Sequence, residues 1–169
     1  MKDVLGKNLP EITEVTLLSL EEFEACKENV NFCDLIPDEE CGSWYLRTPA
    51  DDGEIWVVIY GDEIDEPTSV DFEDYPPEGS WGTALRPILR LASSNLKDGT
   101  ALEIGDNVII GKNTFTAISD TILFSDKAAW YDAEKDTYGY FDDETNIYEN
   151  SLAKKRVDAW FEEKIKPNL

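Results

Sequence analysis

The sequence predicts an α+β fold: a small, twisted, mostly antiparallel sheet with two helices and long acidic loops. Three observations predict it. Short runs rich in β-branched and aromatic residues are broken by turn residues. Two stretches carry helical spacing behind a capping residue. Acidic residues crowd the stretches that have no period. At 169 residues the chain fits one domain. It divides into a loose or edge N-terminal segment (1–14), a motif-bearing half (15–92) and a second half (93–169) that closes with a helix. With 41% hydrophobic residues, including 5 Trp, 7 Tyr and 7 Phe, it can bury a core, which excludes wholesale disorder.

The elements follow in order. Pro10 discourages a regular element in the first 14 residues. Residues 15–18 form a short apolar strand. Ser19 and Glu22 have capping-box spacing, so a helix runs over 20–28 with Leu20, Phe23 and Cys26 on one face. Residues 30–43 lack a period and form a loop. Trp44-Tyr45-Leu46-Arg47 is a strand, and residues 54–60 are the strongest strand in the chain. Gly61 and Asp62 make the turn after it. Residues 62–79 hold many acids and Pro67, Pro76 and Pro77, and form a long irregular loop with room for one short strand. Residues 83–91 resume a strand pattern, with Pro87 marking an edge or a bulge. After a junction at 93–99 come short strands at 107–110, 114–118 and 122–124. Residues 126–150 are aromatic, acidic and aperiodic. Asn150 or Ser151 caps the last helix, whose apolar face holds Leu152, Val157, Trp160, Phe161 and Ile165.

Charge bounds the partners. The chain has 37 acidic and 15 basic residues, a formal −22. Such a chain is repelled by nucleic acid and by anionic membranes, and is favoured by basic protein surfaces. Residue types bound the chemistry. There is no histidine, so triads built on it are excluded and the commonest general base is missing. No phosphate-binding glycine loop or nucleophile elbow is present. Paired carboxylates would suffice for a glycosidase, but among 37 acids some pair always lies close, so proximity carries no signal. The expectation is a protein without catalytic residues and without cofactors. Cys26, Cys33 and Cys41 match no common zinc spacing and read as free thiols of a reducing compartment. With no signal-peptide pattern and no spanning segment, a cytoplasmic location in a host cell is expected. Asp132, Glu134 and Asp136 resemble the start of a calcium loop, but Thr137 stands where glycine is required and Asp143 where a bidentate Glu is normal. No metal site is expected.

The stretch Trp44-Tyr45-Leu46-Arg47-Thr48-Pro49, with Gly82-Thr83-Ala84-Leu85-Arg86-Pro87-Ile88-Leu89, resembles an uncharacterised domain family of phages, prophages and mobile elements of gut bacteria. That family carries W-W-L-R-S-P-G and, some tens of residues later, G-V-R-P-A-L. Val15-Thr16-Leu17-Leu18-Ser19-Leu20-Glu21-Glu22 is similar to its V-F-L-L-S-x-E-E segment, and the likeness extends over most of 12–165. The resemblance implies a C-type-lectin-like framework, with Trp44, Arg47, Trp81, Arg86 and Pro87 as its structural motif. Calcium-dependent sugar lectins of that fold use Glu-Pro-Asn and Trp-Asn-Asp. Here Glu66-Pro67-Thr68 is the nearest match and Trp-Asn-Asp is missing.

Arg47 and Arg86 are therefore expected to be structural guanidiniums held by internal acids or carbonyls, and the alternative is a grip on an anionic ligand. The acids are the candidate binding surface. Residues 34–78 hold 15 acids and one base, Arg47, and residues 126–149 hold 8 acids and 2 bases. Asp51, Asp52, Asp62 and Glu63 are the first candidate contacts. Asp65, Glu66 and Asp71 follow, then Glu73, Asp74 and Tyr75. Acids interleaved with aromatics imitate nucleic-acid phosphates and stack against Arg. The alternative is a solvated face that only confers solubility. The expected function is an acidic protein-binding domain of a phage or mobile element: a nucleic-acid mimic that blocks a basic host defence nuclease, as an anti-CRISPR does. The other reading is a lectin-like recognition domain for a glycan or protein ligand on a phage particle or cell surface.

Overall fold

The computed structural model describes residues 1–36, 43–71, 83–129 and 141–169. Its described strands are β1 (Asp3–Leu5), β2 (Ile12–Thr16), β3 (Trp44–Pro49), β4 (Glu54–Ile59), β5 (Glu63–Ile64), β6 (Thr68–Ser69), β7 (Ile88–Leu91), β8 (Asn107–Ile110), β9 (Asn113–Ala117) and β10 (Ile122–Ser125). Its helices are α1 (Leu20–Cys26), α2 (Phe32–Leu35) and α3 (Leu152–Trp160). The protein is thus α+β.

The larger sheet has six strands in the order β1-β8-β9-β10-β7-β2, and only β1 with β8 runs parallel. Alternation along its strands gives it two buried faces. Leu89 and Leu91 of β7, Leu123 of β10 and Phe115 of β9 face Trp160 and Ile165 of the C-terminal segment. Ile88 and Phe124 face the other way, onto Phe23 of α1, Phe32 of α2 and Trp44 of β3. Those four aromatic rings pack with centroids 5.1–5.6 Å apart, and all are fully buried. Burying rings of this size contributes about 2–3 kcal/mol each, and edge-on pairing adds to it.

The smaller sheet is built on β4. β3 pairs one edge of it, while β5 and β6 share the other. Ile55 and Val57 point to a third cluster with Tyr45, Phe141, Tyr148 and Val157 of α3. Val58 points to the aromatic cluster. The sheets meet where Arg47 N–H donates to Leu18 O at 2.9 Å, just past β2.

Several expectations are corrected. Of the two readings for residues 1–14, loose or edge, the segment is edge and carries regular strands despite Pro10: β1 and β2 form both edges of the larger sheet. A third, four-residue helix, α2, stands inside the expected loop at 30–43, capped by Asn31. The strand expected over 83–91 begins only at Ile88, because Ala84 crosses to β3, where it accepts from Tyr45 N–H at 3.0 Å and donates to Ser43 O at 2.9 Å. Pro87 marks neither an edge nor a bulge. It stands just before β7, an interior strand, where no ladder N–H is needed, and its carbonyl accepts from Ser125 at 3.0 Å. Two short strands, β5 and β6, form within the region expected to be irregular. The last helix starts at Leu152 behind Ser151, whose hydroxyl accepts from Lys154 N–H. It runs on through a π-helical turn at Phe161–Ile165.

Among the described residues, no helix is long and apolar enough to cross a membrane.

Candidate interaction surface

The acidic side chains are placed by β4 and its neighbours. Asp51 and Asp52 sit in a 3-10 turn (Asp51–Gly53) that enters β4, and both are exposed. Asp52 has φ +58°, in the left-handed region that Asp tolerates through local hydrogen bonding. The turn is held from below. Asn146 Nδ2 donates to Ala50 O at 3.1 Å and to Glu54 O at 3.0 Å, clamping both ends of it.

At the far end of β4 the chain reverses through Tyr60 and Gly61, at φ +52° and +81°. The Cys33 thiol donates to Tyr60 O at 2.8 Å. A Cβ on Gly61 would stand 3.3 Å from Ile36 and 3.5 Å from the Cys33 sulfur, so close packing and positive φ both require glycine there. Tyr60 is left 56% exposed beside Asp62 and Glu63.

The chain then returns along the edge of β4. Ile59 pairs with Glu63, Asp65 N–H donates to Val57 O, and Glu54 pairs with Ser69. Of the sequence candidates, Asp62, Glu63, Asp65 and Glu66 lie along that edge, Asp51 and Asp52 in the turn that enters β4, and Asp71 just past β6, and all seven are exposed. Residues 50–71 contain eight acids, counting Glu54, and no Lys or Arg. Glu73, Asp74, Tyr75 and Trp81 lie outside the described residues, as do Cys41 and the Asp132-to-Asp136 run.

A strap over 141–147 supports this edge. Besides the Asn146 clamp, Asp142 N–H donates to Val70 O at 3.0 Å. The buried Asp142 carboxylate accepts from Glu144, Thr145 and Leu152 N–H groups at 2.8–2.9 Å, so it also caps α3. Burial pushes that carboxyl up, but the backbone donors outweigh it and hold it below the usual range.

The two motif arginines serve the framework. Arg47 on β3 is bonded bidentately to Glu22 of α1, and donates to Leu17 O at 2.6 Å. Arg90 of β7 reaches the same Glu22 at 2.6 Å and Glu14 of β2 at 2.7 Å. Burial pushes Glu22 up, yet the two guanidiniums hold it below the carboxylate range. Glu22 thus ties α1 to both sheets, while Ser19 caps the helix and Thr48 Oγ1 accepts from Leu20 N–H. Replacing Glu22 with Ala leaves two guanidiniums without their shared acceptor. Both are about a quarter exposed, at 26% and 25%, so water compensates in part. The expected loss is about 1–2 kcal/mol, a fall in Tm of roughly 3–6 °C. An unchanged thermal midpoint would contradict this role.

Arg86 is 2% exposed and donates to Asp126 O at 3.0 Å. Burial lifts the Asp126 carboxyl to about 6, against a bond from the Thr116 hydroxyl at 3.2 Å and the Arg86 charge. A carboxyl raised in the folded state contributes stability that is complete below its unfolded value of 3.8 and is lost as pH rises through about 6. In Asp126→Asn, Tm relative to the parent should climb between pH 4 and pH 7 by a few degrees. Partial exposure limits the effect to about 1 kcal/mol. A difference that is flat in pH would contradict it.

Cys26 is buried against Phe23 and Ile36, and burial, followed by the Glu22 charge, pushes its thiol up. Among the described residues, no three His, Cys, Asp or Glu side chains are grouped to hold a metal ion. No family model, curated protein or solved structure matches the chain.

Proposed function

We propose that the chain is a non-catalytic, acidic protein-binding domain that docks the outer edge of its smaller sheet onto a basic, nucleic-acid-binding protein and competes with the nucleic acid. The supporting observation is the acidic edge itself. Residues 62–66 carry four exposed acids in five positions, a dense row of negative charge of the kind that Lys and Arg side chains meet along a phosphate backbone. Tyr60, 56% exposed, stands beside them.

The motif resemblance extends the reading to a phage or mobile-element inhibitor of a host defence nuclease, carried on a C-type-lectin-like framework. The two motifs are direct neighbours, because Trp44 of the first bridges Ala84 of the second. The test is a pull-down of candidate basic nucleases by the tagged protein at about 0.15 M salt. A complex that dissolves as salt rises supports the reading, and the absence of any salt-sensitive complex overturns it.

A further inference from the structure

β2 closes the larger sheet on one side, and among the described residues no strand pairs with its outer edge. Leu91 N–H donates to Thr121 O and Ser125 N–H to Pro87 O, so residues 87, 89 and 91 serve β10 and the alternate ones serve β2. Val15 stands opposite Leu89. Its own N–H and C=O therefore point away from β7, out of the sheet. Beside that edge runs an open groove of about 330 Å³. Ile12 and Val15 line it from β2 and Phe161 from the C-terminal helix, and all three are only partly buried. Asp158 and Glu162 join Phe161 there, because their i, i+3, i+4 spacing sets the three on one helix face.

Charge says what fits there. The ionised side chains lining the groove are Glu14, Asp158 and Glu162, and among the described residues no Lys or Arg lines it. The cations that reach these acids lie outside the lining and are shared. Arg90 bonds Glu14 at 2.7 Å but also serves Glu22, and Lys166 meets Glu162 at 2.9 Å. Lys154 bonds Asp158 at 2.5 Å. That bond, with the charges of Glu149 and Glu14, outweighs burial and holds the Lys154 ammonium above its usual range, as a field of several carboxylates around one lysine does. A guest that brings Lys or Arg gains partners here. Another acidic chain, a second copy of −22 included, is repelled.

We propose that this groove takes an extended segment of a basic protein, with Lys or Arg alternating with apolar residues, as an added strand on β2. Val15 exchanges backbone hydrogen bonds with the segment, and an apolar side chain covers Ile12, Val15 and Phe161. The neighbouring cations meet Glu14, Asp158 and Glu162. The groove is short, so the affinity is modest, with a Kd on the order of 100 µM. This contact is separate from the acidic edge at 62–66 and does not rest on it.

The probe is the capped peptide Lys-Val-Lys-Val-Lys, titrated into the full chain up to about 2 mM and followed by amide NMR, a range that brackets that Kd. Shifts should gather on residues 12–15 and 158–162, and the Val15 amide should gain exchange protection. Affinity should fall at least ~5-fold between about 0.05 and 0.5 M NaCl. The peptide N-methylated at both valines loses the N–H that pairs with Val15, and Glu-Val-Glu-Val-Glu reverses the charge; each should bind at least ~10-fold more weakly. Asp158→Asn with Glu162→Gln should cost a similar ~10-fold at a nearly unchanged Tm, since both pairs they break are at the surface. Changing Asp62, Glu63, Asp65 and Glu66 to Lys should leave affinity within ~3-fold of the parent, so loss of the acidic-edge reading and loss of this one are told apart. No binding at about 2 mM overturns the proposal. So does a shift map centred on 62–66, binding that the four-lysine variant loses and the double variant keeps, or an N-methylated peptide that binds as well as the unmodified one. Should the double variant fail to fold, the unaltered protein decides alone: a Val15 amide left unprotected in the complex overturns it.

Discussion

Changing Asp62, Glu63, Asp65 and Glu66 together to Lys is expected to weaken the complex with a basic partner at least ~100-fold, about 2.7 kcal/mol or more. The same change should leave the fold intact. All four side chains are exposed, and none has a Lys or Arg partner within the stretch 50–71. Losing them removes no buried contact, and eight units of charge reversal relieve self-repulsion in a −22 chain. A titration of parent and variant against one partner, with thermal melts of both, separates the effects. Lost binding at an unchanged or raised Tm is the expected pair. Equal affinity for parent and variant would show that the edge is only a solvated face.

The second large effect is on stability. Asp142→Ala strips the acceptor from the Glu144, Thr145 and Leu152 N–H groups at once. The side chain is buried, so those donors regain water poorly. The expected cost is about 3 kcal/mol, a fall in Tm near 6–12 °C. The loss reaches the acidic edge too, because this residue lies in the strap that holds Val70 and the Asp51–Gly53 turn. The carboxyl is held low in the folded state, so its stabilisation is present above its unfolded value of 3.8 and is lost as pH falls below that. Parent and Asp142→Asn should therefore converge in Tm as the pH drops below about 4, while Asp142→Ala stays below the parent at neutral pH. Identical melts at pH 7 for parent and Asp142→Ala would contradict the capping role.

Much of this framework is legible in the residues. The β-branched run at 54–59 forms the central strand of the smaller sheet, and Ser19 caps α1 as its spacing predicts. Helical spacing identifies Val157, Trp160, Phe161 and Ile165 on the packed face of the last helix, but Ala153, not Leu152, fills the core at its first turn. What the sequence hides is what depends on distant partners. β1 has three residues and no period of its own, and it exists because β8, a hundred residues on, offers an edge. Glu22 has the spacing of a capping box, yet its carboxylate goes to Arg47 and Arg90, since charge-assisted bonds outcompete a helix-end N–H. Arg90 carries one readable signal, a charge between Leu89 and Leu91 in an apolar strand, which demands an acid nearby. Nothing local says that the acid is Glu14 or Glu22. The alignment of the acids is similarly non-local. Asp52 precedes β4 and Asp71 follows β6, two strands brought side by side only by the Glu54–Ser69 register. Asn146 and Asp142 lie in an aperiodic stretch with no sign of the bonds they make.

The central claim is that the acidic edge stands in for nucleic acid. Displacement tests it most directly: a basic nuclease captured in the pull-down is loaded with labelled nucleic acid, and the protein is titrated in at several salt concentrations. The account predicts stoichiometric displacement by the parent, weakening as salt rises, and none by the four-lysine variant. A ternary complex that keeps its nucleic acid, or displacement by the variant as strong as by the parent, would contradict it.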